Sequence, residues 1–257
     1  MNTYITLLSS DDYILPLLAL NKNLIDLKSR YPLFVIVSSN VNTKTIDILK
    51  EHNINYKITS PILYHPDIIK QASQWGQSQV VNTATKLEIF NTSFDKAVYL
   101  DADSFFIYNI DNLFNYPDGA MYEECGCDGG FSGLFTFMPK NHNFEYYKNI
   151  IQNIPILDGD LLANLWFPFK SNPEYRIPTE YFLNITLDNF DNFIDTVKGF
   201  HFCYKYKPWN YKSVKDFNND FYNGLNKPYS KLRTAVVETY LERYILDFSK
   251  KYDIIEI

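Results

Sequence analysis

Asp101 and Asp103 flank Ala102 at the end of the run Lys96-Ala97-Val98-Tyr99-Leu100, which resumes as Ser104-Phe105-Phe106-Ile107. An apolar run too short for a helix predicts a buried strand, here one whose C-terminal end carries two carboxylates. In an extended chain both side chains point the same way, about 7 Å apart along the backbone, and a slight turn would let them share one divalent cation. Carboxylates at a strand end can equally cap the next helix or face water, so the triplet alone leaves both readings open. Its position favours the metal, because ligands of open α/β sheets bind outside the carboxyl ends of the strands.

Three other stretches carry groups of chemical interest. Asp158-Gly159-Asp160 places two carboxylates ahead of a helical turn, and Asp128-Gly129-Gly130 leads into the apolar run 131–139. Those glycines serve a tight turn as well as they would serve a close backbone approach to a ligand. His201 lies on the aromatic run Gly199-Phe200-His201-Phe202, followed by Lys205, Lys207, Pro208 and Trp209. A histidine there is more often packed than ligating, yet the two lysines put a cationic loop beside it. Cys125, Cys127 and Cys203 form neither an even disulfide set nor a zinc pattern, which points to reduced thiols.

Positioning these groups requires a sizeable core. The 257 residues suffice for one α/β domain, and 46% hydrophobic with 17% aromatic content excludes disorder and predicts an aromatic-rich core or pocket. A net charge of −6 argues against a nucleic-acid partner, which calls for a basic face. With no basic leader, small-residue cleavage site or long apolar span, the expectation is a cytoplasmic protein without a membrane span. The sequons at Asn91 and Asn184 would then go unglycosylated.

The pattern alternates strands with helices, which predicts a mostly parallel sheet covered on both faces. Strands are expected at 3–9, 32–37, 55–59, 96–100, 120–122 and 131–139. Ser10-Asp11-Asp12 offers N-cap oxygens to a helix over 13–28 with Leu17, Leu20, Leu24 and Leu27 on one stripe. Further helices are expected over 43–52, 83–94, 142–151, from about 158, and over 232–251. Residues 61–80 lose periodicity and read as a mobile segment.

Four stretches together resemble glycogenin and its relatives in glycosyltransferase family eight: Thr6-Leu7-Leu8-Ser9-Ser10-Asp11-Asp12-Tyr13, Tyr99-Leu100-Asp101-Ala102-Asp103, Ser132-Gly133-Leu134-Phe135, and His201-Phe202 with Lys207-Pro208-Trp209-Asn210-Tyr211. They stand in the family's order over roughly residues 3–211. The resemblance implies a GT-A (Rossmann-like) α/β fold in a single domain over 1–257, with a nucleotide- and metal-binding part over about 1–125 and an acceptor-side part over about 126–257. It also implies a retaining transferase that takes a hexose, glucose above all, from a UDP-sugar with Mn²⁺ or another divalent cation. Its acceptor would be a protein, a glycan or the chain itself, and a homodimer is among the assemblies it allows.

By the same resemblance Asp101, Asp103 and His201 are the metal ligands, an O,O,N set suited to Mn²⁺. Lys207 would meet the diphosphate, Leu7, Ser9 and Tyr13 would form the uridine pocket, Lys86 would face the donor, and Ala102 joins the donor-binding residues. Asp160, with Asp158 as its rival, falls where the family has an acidic residue beneath the sugar, either as nucleophile or as orienting group. The chain departs from the family at Phe131 (usually Asn) and at Tyr204 (usually Gly), its acidic motif Asp158-Gly159-Asp160 lacks the usual Gln, which loosens the alignment there by a residue or two, and the segment 181–196 holds no match to an acceptor tyrosine. A competing reading is a non-catalytic UDP-sugar-binding or scaffold protein on the same fold. A nucleotidyltransferase is disfavoured, because no Gly-rich phosphate loop follows the first strand.

Overall fold

The computed structural model describes residues 1–74, 78–123, 130–165, 172–184, 196–202, 207–211, 213, 215–217 and 231–252. Two compact units make up the fold: residues 1–11, 30–101 and 111–179, and residues 12–29, 102–110 and 180–257. The strands are β1 (Asn2–Leu8), β2 (Leu33–Ser38), β3 (Asn55–Thr59), β4 (Lys96–Leu100), β5 (Ser104–Phe106), β6 (Met121–Glu123), β7 (Gly130–Phe137), β8 (Arg176–Ile177), β9 (Leu183–Asn184) and β10 (Gly199–His201).

The first unit holds a seven-stranded sheet in the order β3-β2-β1-β4-β7-β6-β8. Neighbouring strands from β3 to β4 run parallel, as do β6 and β8, whereas β7 is antiparallel to both of its neighbours. β1 is buried from Thr3 to Leu8 and β2 nearly throughout, which explains why both read as continuous apolar runs rather than alternating ones. Helices α2 (Thr43–Glu51), α3 (Pro66–Gln74), α4 (Phe144–Asn153) and α5 (Asp158–Leu165) belong to this unit. Its core joins Ile5, Leu7, Tyr99 and Phe135 of the sheet to Leu87, Ile89, Ile151 and Leu162.

The second unit contains α1 (Ile14–Asp26), the antiparallel pair β5–β10 with β9 alongside, and the C-terminal helices α6 (Lys231–Tyr240) and α7 (Leu246–Tyr252). A π-helical turn, Leu241–Ile245, separates α6 from α7. Leu15, Ala19, Phe105, Phe200, Phe202, Trp209, Tyr240 and Ile245 share its core.

Several expectations need correction. The carboxylate of Asp11 does not cap α1, which begins after a 3₁₀ turn with Tyr13 at its N-cap and no side-chain cap bond. Asp11 Oδ1 instead accepts from Thr45 Oγ1 at 2.5 Å and Asn42 N at 3.1 Å, tying the loop after β1 to the start of α2. Residues 61–80 are not structureless. Pro66 opens α3, where a missing N–H costs nothing, and Ile68 with Ala72, four apart, supplies the buried face. The stretch expected as an α-helix over 83–94 is a 3₁₀ helix, Ser78–Phe90, with residues 84–90 buried on every side. Helix α4 starts at Phe144 because Asn143 accepts from Tyr146 N, whereas Asn141, which would cap a start at His142, donates its side-chain amide to Asp118 Oδ2 at 2.6 Å. The cysteines, Asp128, Gly129, Tyr204 and the side chain of Phe131 lie outside the described residues.

Candidate active site

In the first unit the site grows from the carboxyl ends of β1 and β4. Their parallel register pairs Ile5 with Tyr99, which brings Leu7 level with Asp101. Asp101 N donates to Gly133 O at 2.8 Å, continuing the antiparallel β4–β7 ladder and placing Ser132 next to the strand end. Ser9 lies just past β1, half-buried, and Leu7 is buried.

Lys86, reaching in from the 3₁₀ helix, organises this end. Its Nζ lies 3.1 Å from Asp158 Oδ2 and 3.5 Å from Asp101 Oδ1, and donates to Ser132 O at 3.0 Å and Ser132 Oγ at 3.1 Å. The ammonium also stands 4.8 Å from the centre of the Tyr99 ring, whose hydroxyl donates to Asp101 Oδ1 at 2.9 Å. Burial alone would lower the Lys86 pKa, but Asp101 and Asp158 outweigh it and hold the amine above its ordinary value.

Asp158 opens α5 and is 6% exposed, with both oxygens engaged. Oδ2 accepts from Ser132 Oγ at 2.9 Å besides meeting Lys86, and Oδ1 accepts from Tyr64 Oη and from Thr83 Oγ1 at 3.3 Å. Burial pushes this carboxyl up, and Lys86, Tyr64 and Ser132 more than offset it, so Asp158 stays below its ordinary range. Asp160, one residue further than Gly159, is exposed and lies outside this network.

In the second unit, antiparallel pairing of Ser104 with His201 carries Asp103 to the histidine from 98 positions away in sequence, a separation given by 201 − 103. His201 Nε2 lies 3.2 Å from Asp103 Oδ1, and Phe202 N donates to Asp103 O at 3.1 Å. Lys207 Nζ donates to Asp103 Oδ2 at 2.5 Å and to Phe202 O at 2.6 Å. Burial would raise the Asp103 pKa, yet Lys207 and His201 hold it far below the carboxylate range. The His201 ring is fixed by stacking on Phe182 at 4.7 Å. Tyr13 sets its ring edge-to-face on Trp209 at 5.7 Å, with the Lys207 ammonium 5.8 Å from its centre. Ala102, buried, opens this unit's second segment, directly after Asp101 in sequence.

In one unit a carboxylate strand end meets a buried lysine set among hydroxyls, and in the other an Asp–His pair meets a second lysine; each is chemistry suited to a phosphorylated sugar donor. The sequence profile of glycosyl transferase family 8 matches residues 4–153. The chain belongs to glycosyl transferase family 8. It is similar to galactinol synthase 1 of Ajuga reptans, at 27% identity over 81% of this chain and 73% of that protein. Glycogenin-1 of Caenorhabditis elegans is 26% identical over 80% of this chain and 50% of that protein. The fold is that of the galactosyltransferase LgtC, solved in complex with donor and acceptor sugar analogues, with a TM-score of 0.55 at 15% identity over 91% of this chain and 99% of that one. The family 8 chain is therefore a glycosyltransferase of GT-A architecture, and its kinship supports a hexosyltransferase. Among the described residues no helix is long and apolar enough to cross a membrane.

Three residues that contact Asp158 escaped the sequence-based site assignment. Tyr64 and Thr83 come from stretches without a motif, and Ser132 belongs to a motif that gave it no role. Only their convergence on Asp158 marks them.

Proposed function

We propose that this glycosyltransferase moves a hexose, glucose first among candidates, from a UDP-sugar to a hydroxyl of a protein, a glycan or the chain itself, with retention of configuration and a divalent cation. The observation that carries the reading is the pair of buried carboxylates, Asp158 and Asp103, each held ionised by a lysine. Asp103 and His201, with Asp101 two residues upstream, would hold the cation: a carboxylate oxygen and an imidazole nitrogen already face each other at 3.2 Å, a donor set that suits Mn²⁺. When bound, the ion supplies positive charge against the diphosphate and the leaving UDP.

The chain's own residues do the rest. Lys207 exchanges Asp103 for a diphosphate oxygen, and Tyr13, braced by Trp209, offers a ring face to the base. Leu7, Ser9 and Ala102 border the donor, and Lys86 keeps Asp158 ionised beneath the sugar. Asp158 is preferred to Asp160 because it is the one tied into the lysine network. With hydrogen-bond or ion-pair partners on both oxygens, Asp158 is a poor nucleophile and a good fixed anion for the positive charge that develops at the anomeric carbon. The acceptor hydroxyl therefore attacks from the side the UDP leaves.

The test is a panel of UDP-glucose, UDP-galactose, UDP-xylose and UDP-N-acetylglucosamine, each with and without Mn²⁺, with released UDP and intact mass recorded. One UDP-hexose should give metal-dependent UDP release, with a mass increase in hexose steps if the chain is its own acceptor. Asp158→Asn should keep UDP binding and lower turnover by about 10²- to 10³-fold, while Asp160→Asn stays within a few-fold of wild type. Full turnover in Asp158→Asn removes that residue from the mechanism. UDP binding without any release would favour a non-catalytic binding protein.

A further inference from the structure

Tyr240 ends α6 with its side chain fully buried, against the rings of Phe202 at 4.4 Å, Phe105 at 5.5 Å and Tyr244 at 6.5 Å. Among the described residues its hydroxyl has no hydrogen-bond partner. A buried hydroxyl without a partner is costly, and native structures rarely leave one idle. Both ring neighbours belong to the segments that carry the carboxylate: Phe202 N donates to Asp103 O at 3.1 Å, and Phe105 follows Asp103 by two residues. Burial first, and then the Asp103 charge, push this phenol well above its ordinary value. The helix also changes to a π turn at the very next residue, a rare local geometry that concentrates at functional sites.

In the same unit, Asp103 currently receives its second-oxygen hydrogen bond from Lys207. That bond is lost whenever Lys207 turns to an anion. We propose that Tyr240 is a positioning residue for the cation site: its hydroxyl donates to Asp103 once Lys207 has left the carboxylate for the donor's diphosphate. The inference rests on the reading of Asp103 as a cation ligand and of Lys207 as the diphosphate contact. A donor of this kind fixes the orientation of a ligating carboxylate, and its loss typically weakens metal binding by about 10- to 100-fold.

The experiment compares wild type and Tyr240→Phe in two measurements. One is thermal unfolding without ligands and with Mn²⁺ plus UDP, and the other is Mn²⁺ titration in the presence of UDP. Tyr240→Phe removes only the idle oxygen, so its midpoint without ligands should equal or exceed that of wild type. Its Mn²⁺ affinity should fall about 10-fold or more, and its ligand-induced rise in melting temperature should shrink accordingly. A variant that melts lower than wild type without ligands would show the hydroxyl already partnered, and overturn the proposal. Equal Mn²⁺ affinity in the two proteins would also overturn it. A wild type that gains nothing from Mn²⁺ and UDP overturns the cation reading beneath it, and the Tyr240 role with it.

Discussion

Replacing Lys86 by Met tests the buried network where it is most exposed to failure. Met keeps the length and apolar stem of the side chain and removes only the ammonium, leaving Asp158 buried with Tyr64, Thr83 and Ser132 but no positive partner. Breaking a buried pair by removing one partner costs about 3–5 kcal/mol. At about 2 °C per kcal/mol for a chain of this size, the loss in melting temperature is about 6–10 °C. Its pH dependence carries the argument. In wild type the Asp158 carboxyl is held below its unfolded value, so its contribution is present above that value and disappears as pH falls through the folded one. Without Lys86, burial dominates and the folded value rises above the unfolded one. Stability of the variant then declines as pH increases through the window between the unfolded value of about 3.9 and that raised value. The gap to wild type should therefore be narrow near pH 4 and wide near pH 8, as read by calorimetry at each pH. Lys86→Met with Asp158→Asn should recover part of the loss, because both charges go together and Asn still accepts from Tyr64. An equal deficit at both pH values, or a double variant no better than the single one, would refute the claim that an uncompensated carboxylate causes the damage.

Two further outcomes follow from the second unit. A Cβ at Gly199 would lie 2.3 Å from Phe106 Cδ1 and 2.5 Å from the Tyr181 carbonyl oxygen, so Gly199→Ala should destabilise by roughly 1–3 kcal/mol; Gly159→Ala, whose nearest neighbour is Ser132 Oγ at 3.5 Å, should melt like wild type. Lys207→Met removes the larger of the two charges that hold Asp103 below its ordinary range, a stabilisation present above the unfolded carboxylate value and lost as pH falls through the folded one, so acid-unfolding curves of variant and wild type should converge at low pH.

Most sheet strands and helices were legible because their signals are local: continuous apolar runs for β1, β2 and β4, and an amphipathic face with an Asn cap for α2; the two-residue strands β8 and β9 are too short to carry a period. Strand direction was not legible, since β7 reads the same whether parallel or antiparallel, and only the register running from Ala97 opposite Phe137 to Leu100 opposite Leu134 fixes it. Helix α3 was hidden because two buried residues make too weak a period. Asp11 looked like a cap because its type suits one, and no local rule reveals that Thr45, 34 positions later, competes for the same oxygen. The choice between Asp158 and Asp160 was beyond the sequence for a geometric reason. Residues two apart at a helix start are turned about 200° from each other, so one side chain faces the network and the other faces solvent, and which is which depends on how α5 docks on β7.

The two lysine–carboxylate pairs also differ in a way that bears on how such a site can work. Lys86 is closed in: four acceptor atoms from three residues and a ring surround its ammonium, and Asp158 has partners on both oxygens. Nothing there can be exchanged without leaving a buried charge uncovered, so that pair behaves as a fixed dipole, which is what stabilising a charge that appears only in the transition state requires. Lys207 meets a carboxylate oxygen and a backbone carbonyl at the margin of the Tyr13 and Trp209 rings. It can trade a carboxylate for a phosphate at little cost, because the charge it leaves behind is the one a cation would then take up. If the proposed function holds, the first pair would keep charge still beneath the sugar and the second would admit it beside the diphosphate, and substitutions at Lys86 should accordingly damage stability first while those at Lys207 damage donor binding first.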